Sequence, residues 1–120
     1  MDALDDLAAV FKTLMHPTRL AILGILRQGE ECVCHMEATL GLRQAYISQQ
    51  LSVLREAGLV SVRRDGWNIF YQVTRKEVYG VIDAARAMLP KSSQKRLAMF
   101  LAMPKVGACE CPKCHVRAVA

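Results

Sequence analysis

Gln44-Ala45-Tyr46-Ile47-Ser48-Gln49-Gln50-Leu51-Ser52-Val53-Leu54-Arg55-Glu56-Ala57 is the stretch on which the fold turns. Ile47, Leu51 and Leu54 fall on one face of a helix, and Gln44, Ser48, Gln49, Ser52 and Arg55 populate another. That second row offers amide, hydroxyl and guanidinium groups able to hydrogen-bond to base edges and phosphates. Just upstream, Cys34 to Leu40 has room for about two helical turns, and Gly41-Leu42 makes the turn between the segments. Two short helices joined through a glycine turn make a helix-turn-helix.

Downstream, Gly58 ends the long helix, and Leu59-Val60-Ser61-Val62-Arg63-Arg64 alternates with period two. Asp65-Gly66 is a strong turn dipeptide, and Asn68 to Val73 returns as a second strand, so a hairpin wing follows the reading helix. The expected nucleic-acid contacts are therefore Gln44, Tyr46, Ser48, Gln49, Gln50, Ser52 and Arg55 on the helix, with Arg63 and Arg64 on the wing. Trp67 beside Gly66 either touches a DNA backbone or props the hairpin.

The flanks read as helices. Leu4, Leu7, Ala8, Val10, Phe11 and Leu14 keep the three-and-four spacing of a first helix, and His16-Pro17 breaks it. Pro17 suits the first position of a second helix running to about Arg27, with Gln28-Gly29 ending it, and His16 reads as a turn residue. Thr74 is a plausible cap for a helix from Lys76 to Leu89. Pro90 bends the chain into a further helical stretch that begins at Lys91-Ser92-Ser93 and ends near Met103. The expected architecture is mainly α with a β-hairpin wing, a winged helix-turn-helix. Its terminal helices carry more apolar face than a chain this small hides alone, so a homodimer packed through the N- and C-terminal helices is expected. Residues 1–103 form that DNA-binding and dimerisation domain, and residues 104–120 form a cysteine-rich tail with no helical period.

At 120 residues one core suffices. A net charge of +5 favours a polyanionic partner without distinguishing nucleic acid from an anionic membrane. The start, Met1-Asp2-Ala3-Leu4-Asp5-Asp6, is acidic where a secretory signal is basic, and no apolar run approaches the roughly 18 residues of a membrane span. A cytoplasmic location with no membrane partner is the expectation. No carboxylate pair, activated serine or phosphate loop stands at a convincing spacing, so no enzyme is expected.

Five cysteines in a reducing compartment read as metal-binding or redox-active, and an odd number leaves one over when paired within a single chain. They fall in two clusters: Glu31-Cys32-Val33-Cys34-His35 ahead of the helix-turn-helix, and Cys109-Glu110-Cys111-Pro112-Lys113-Cys114-His115 in the tail. Residues two apart on a helix diverge by about 200°, so Cys32 and Cys34 grip one ion only if the backbone there is extended. Two sulfurs are too few for trivalent arsenic or a tetrahedral ion. Cys109, Cys111 and Cys114 either complete the site, from the same or the partner subunit, or form a separate three-sulfur site. The bland alternatives are two buried structural cysteines and a tail that collects metal adventitiously. His35 and His115 are possible nitrogen donors but read more simply as exposed histidines.

Taken together, Phe11-Lys12-Thr13-Leu14-Met15-His16-Pro17-Thr18-Arg19-Leu20-Ala21-Ile22-Leu23, Glu31-Cys32-Val33-Cys34, Leu51 to Val60 and Arg63-Arg64-Asp65-Gly66 resemble the ArsR/SmtB family of metal-responsive winged-helix repressors, over roughly residues 4 to 100. The resemblance implies a dimer that holds double-stranded operator DNA when metal-free and releases it when an ion binds. The implied effector is a thiophilic ion, As(III), Cd(II), Pb(II) or Zn(II), with Cys32, Cys34, Cys109, Cys111 and Cys114 as its ligands. Two departures stand out. Glu37 occupies the position of the third cysteine of many arsenic sensors, and Lys76 to Leu89 holds Asp83 but no histidine for the zinc site of other members. Two further inputs stay open: oxidation of the same thiols to sulfenic acid, a disulfide or a polysulfide bridge, and, in a different class, metal buffering or thiol exchange by Cys111-Pro112-Lys113-Cys114.

Overall fold

A computed structural model describes residues 1–102. The expectations for Met103 and for the tail, including Cys109, Cys111, Cys114 and His115, lie outside the described residues.

Among the described residues nine elements follow one another: α1 (Asp2–Leu14), α2 (Pro17–Leu26), β1 (Glu31–Cys32), α3 (Val33–Leu40), α4 (Gln44–Glu56), β2 (Val60–Asp65), β3 (Asn68–Val73), α5 (Glu77–Ala87) and α6 (Lys91–Leu101). Helix-turn-helix and wing are both present where the periodicity placed them. Pro17 opens α2 as its first residue, and His16 ahead of it is extended and caps it, its ring Nδ1 accepting the Thr18 N–H at 3.2 Å. Gly41 closes α3 in the left-handed region at φ 66°, where a side chain is strained.

The core forms where α2, α3 and α4 meet: Ile22, Leu23, Met36, Ile47, Leu51 and Leu54 are fully buried. Each comes from the apolar stripe of its helix, so burial follows the three-and-four spacing. Deleting one such side chain costs about 2 to 5 kcal/mol. Tyr79 of α5 reaches back across this core and donates its hydroxyl to the Leu23 carbonyl at 2.6 Å. Burial pushes its phenol up to about 12, offset in part by nearby Arg27.

Among the described residues the sheet has three strands in the order β1-β3-β2, all antiparallel. Residues 31–32 were expected only as a short connecting segment; they form an edge strand, pairing Glu31 with Tyr71 and Cys32 with Phe70. Two residues carry no detectable alternation, which is why the strand is silent in the sequence. The hairpin closes one residue later than its Asp65-Gly66 dipeptide implied. Asp65 pairs with Asn68, so Gly66 and Trp67 are the turn, with Gly66 at φ 62°. Thr74 ties the hairpin base to the end of α4 instead of capping α5, its hydroxyl donating to the Gly58 carbonyl at 2.9 Å.

α1 keeps its apolar stripe outward: Leu4, Leu7 and Phe11 are each more than half exposed. With α2, α5 and α6 it frames an apolar groove of about 770 Å³, lined among others by Phe11, Leu14, Leu20, Ile82, Leu89 and Phe100. Among the described residues no single helix is long and apolar enough to cross a membrane.

Candidate functional site

On α4, Ile47, Leu51 and Leu54 face the core, and Gln44, Gln49, Ser52 and Arg55 are exposed, with Ser48 at the edge. A row of polar groups thus runs along the outer side of the helix, as its spacing required. Gln50 departs from the expectation. Its position belongs to the inward stripe of 47, 50, 51 and 54, the i, i+3, i+4, i+7 set, and it is buried at 7 % exposure. There its Oε1 accepts from Arg19 Nε at 2.8 Å, and Arg19 Nη1 also donates to the Thr13 carbonyl at 3.1 Å. Gln50 is therefore a strut between α1, α2 and α4, turned away from any base.

Tyr46 lies at the entrance of α4, one-third exposed, with its hydroxyl 3.4 Å from His16 Nε2 and 3.5 Å from Thr18 Oγ1. Because His16 Nδ1 accepts from the Thr18 N–H, a neutral ring carries its hydrogen on Nε2 and donates toward Tyr46. Arg19 and His16, neither expected as site residues, both hold the reading helix to α2. The signal in the sequence was Gln50, a polar residue at an inward position of the reading helix.

On the wing, Arg64 is exposed, and Trp67 stands fully in solvent, which removes the hairpin-prop reading of that ring. Arg63 is engaged. Its Nε and Nη2 donate to both carboxylate oxygens of Glu30, at 3.0 and 2.5 Å, and its guanidinium lies 4.9 Å from the centre of the Phe70 ring. The Glu30 hydrogen bonds raise its pKa above the ordinary guanidinium value.

The thiol pair sits at the joint between sheet and helix-turn-helix. Cys32 ends β1 with extended backbone and is buried; its sulfur accepts the His35 N–H at 3.3 Å, so it is the N-cap of α3. Cys34 lies within the first turn of α3, half-buried against Cys32 and Phe70. The backbone therefore changes from strand to helix between the two sulfurs, so the pair does not lie wholly in regular helix. Cys34 is disulfide-bonded. His35 was expected at the surface and is buried at 4 % exposure, its Nδ1 3.9 Å from the buried Glu31 carboxylate and its Nε2 3.5 Å from Thr39 Oγ1. Among the described residues no group of three or more His, Cys, Asp or Glu side chains is arranged to hold a metal ion.

A buried helix-turn-helix core, an exposed polar face on its second helix and a basic hairpin beside it define a winged helix-turn-helix DNA-binding protein. Comparison with known proteins narrows the class. Residues 16–62 match the family model described as bacterial regulatory protein, arsR family. The chain is 45 % identical over 83 residues to the biofilm growth-associated repressor of Agrobacterium fabrum, covering 69 % of this chain and 71 % of the relative. Reduced HlyU from Vibrio cholerae superposes with a TM-score of 0.66 at 28 % identity, covering 75 % of this chain and 95 % of that one. A homodimeric winged helix-turn-helix domain from Mycobacterium bovis superposes with a TM-score of 0.65 at 29 % identity, covering 80 % and 85 %. The chain belongs to the arsR family of bacterial regulatory proteins, and it is an ArsR-type transcriptional repressor.

Proposed function

We propose that this chain is a thiol-switched repressor that binds operator DNA as a homodimer and lets go when Cys32 and Cys34 react or ligate. The observation that carries the reading is the place of Cys32. One sulfur both caps the first helix of the helix-turn-helix and lies under Phe70 of the wing hairpin. Any chemistry that pulls on this sulfur or its neighbour bears on reading helix and wing together. A coupling of about 1 to 3 kcal/mol is enough to lower operator affinity roughly five- to 150-fold.

The dimer is supported by the exposed stripe of α1 and the apolar groove beside it, and by the homodimeric state of the M. bovis domain. A two-fold axis through that region sets two α4 helices roughly 34 Å apart, in successive major grooves of a palindrome. Gln44, Ser48, Gln49, Ser52 and Arg55 then meet base edges and phosphates, with Tyr46 at the entrance of the helix and Arg64 on the backbone. The setting is the cytoplasm.

Two inputs fit the thiols. Oxidation is favoured by the disulfide at Cys34 and by likeness to a protein known in a reduced form. Cys34 and one of Cys109, Cys111 or Cys114 then lose two electrons and two protons to a peroxide-class oxidant, which leaves as water. Ligation of As(III), Cd(II), Pb(II) or Zn(II) is favoured by the x and xx spacing of the tail cysteines, which add up to three sulfurs to Cys32 and Cys34. In that case the thiols lose their protons to solvent.

Operator binding by the full chain, followed by fluorescence anisotropy under peroxide or under each ion, separates the inputs. The variant carrying Cys32→Ser and Cys34→Ser is expected to bind like wild type and to stay bound throughout. Normal release by that variant refutes the thiol input, and wild-type protein with no preference for any duplex sequence refutes the repressor reading.

A further inference from the structure

The three strands align one residue from each in a single row. Cys32 pairs with Phe70, and Phe70 pairs on its other side with Arg63. Paired positions in an antiparallel sheet send their side chains to the same face, and these three touch: the thiol packs against the ring, and the guanidinium lies over it. Arg63 is then grasped by Glu30, one residue before the strand that carries Cys32. The chain thus closes a circuit from sulfur to ring to guanidinium to carboxylate, and back to the residue that leads into the sulfur's strand. Arg64, one residue on, pairs with Ile69 and so faces the other way.

Resting on the thiol-switch reading above, we infer that Glu30 is a latch on Arg63: it competes with a DNA phosphate for this guanidinium, and the state of the thiols sets which acceptor wins. Three features support it. The clasp uses both carboxylate oxygens, the geometry by which a guanidinium also takes a phosphate, so the two acceptors exclude one another. The pair is partly open to water, with side-chain exposures of 47 % for Arg63 and 27 % for Glu30, and exposed pairs are weak enough to be traded. The strand next to Glu30 is short, pairing with β3 at Glu31 and Cys32, so the register of the clasp depends on what anchors Cys32 and Cys34. With Cys34 bridged, as here, that junction is pinned and Arg63 is on Glu30. Two electrons and two protons from a thiol-class reductant, itself oxidised to its disulfide, open the bridge to two thiols and free the junction, and Arg63 passes to the polyanion.

The test is operator binding by the full-length dimer at several salt concentrations, with and without peroxide, for wild type, Glu30→Gln and Arg63→Gln. Glu30→Gln is expected to raise the affinity of the oxidised protein about two- to fivefold for each protomer, the range an exposed ion pair supports. It should also steepen the plot of log affinity against log salt by about 0.9 for each recovered phosphate contact. Arg63→Gln should lower reduced-state affinity and flatten the same plot by that amount, a readout that a loss of folding alone does not produce. Wild type that responds to peroxide while Glu30→Gln responds by the same factor with the same slope overturns the latch and leaves the thiol switch standing. Wild type indifferent to peroxide and to every thiophilic ion overturns both.

Discussion

The two ends of the helix-turn-helix are held by different chemistry. The reading end, α4, is seated on a fully buried apolar stripe and strapped by a charged donor, Arg19, to the buried amide of Gln50 and to the end of α1. The proposed sensing end, the entrance of α3, carries a sulfur cap, a two-residue edge strand and the disulfide at Cys34. A thiolate or thiol is a weak acceptor, and a two-pair strand is marginal. The contrast teaches that the fold seats the reading helix on buried packing and holds the entrance of α3 through contacts that involve sulfur; under the proposed function, a modest event at the thiols redirects that entrance without melting the helix that reads.

Substitutions on each side sharpen that contrast. The largest effect is expected at the reading end: Arg19→Met leaves the Gln50 amide buried without its charged donor, and stability should fall by about 1 to 3 kcal/mol in urea unfolding. A loss no larger than that of a surface substitution would show that α4 does not depend on this strap. Next comes Tyr79, which backs the same helices from α5. Its folded pKa lies above the unfolded value near 10, so the neutral form is favoured by the fold and its contribution is complete below pH 10. Between pH 10 and 12 the unfolded chain gives up the proton first and stability falls, by about 1 to 2 kcal/mol once nearby water is allowed for. Tyr79→Phe should flatten that alkaline limb in thermal melts against pH; an unchanged limb assigns it to other groups.

The smallest effect belongs to the sensing end. Cys32→Val removes the cap of α3 and should cost about 1 kcal/mol or less, whereas Cys32→Ser, which keeps an oxygen acceptor at the N-cap, should be near neutral. Equal losses in chemical denaturation for both would mean that packing against Phe70, and not the cap, holds this entrance. A loss at Cys32 exceeding that at Arg19 would invert the comparison between the two ends.

Much of this was legible in the chain. The stripe of Ile47, Leu51 and Leu54, the alternation after Gly58, and Pro17 after a broken helix each follow from neighbours within a few residues, and each element lies within a residue or two of its expected place. Gln50 was misread because it was sorted by its polarity. Its offset of three from Ile47 and four from Leu54 already placed it inward. His35 was misread for the same reason; its partners Glu31 and Thr39 stand four residues away on either side, one on the edge strand and one on its own helix. The edge strand at Glu31 and Cys32 had no such local signature, because two residues cannot display a period.

What the sequence determined by itself was the set of elements and the faces they present, because helical and strand periodicities are written between residues at most seven apart. What only the tertiary structure decided was which side chains meet across the sheet and between the helices: Cys32 beside Phe70, Glu30 on Arg63, Arg19 on Gln50. Those meetings depend on strand register and helix docking, which are fixed by the sum of many weak contacts between residues about 30 or more apart, and no short stretch of the chain carries that sum.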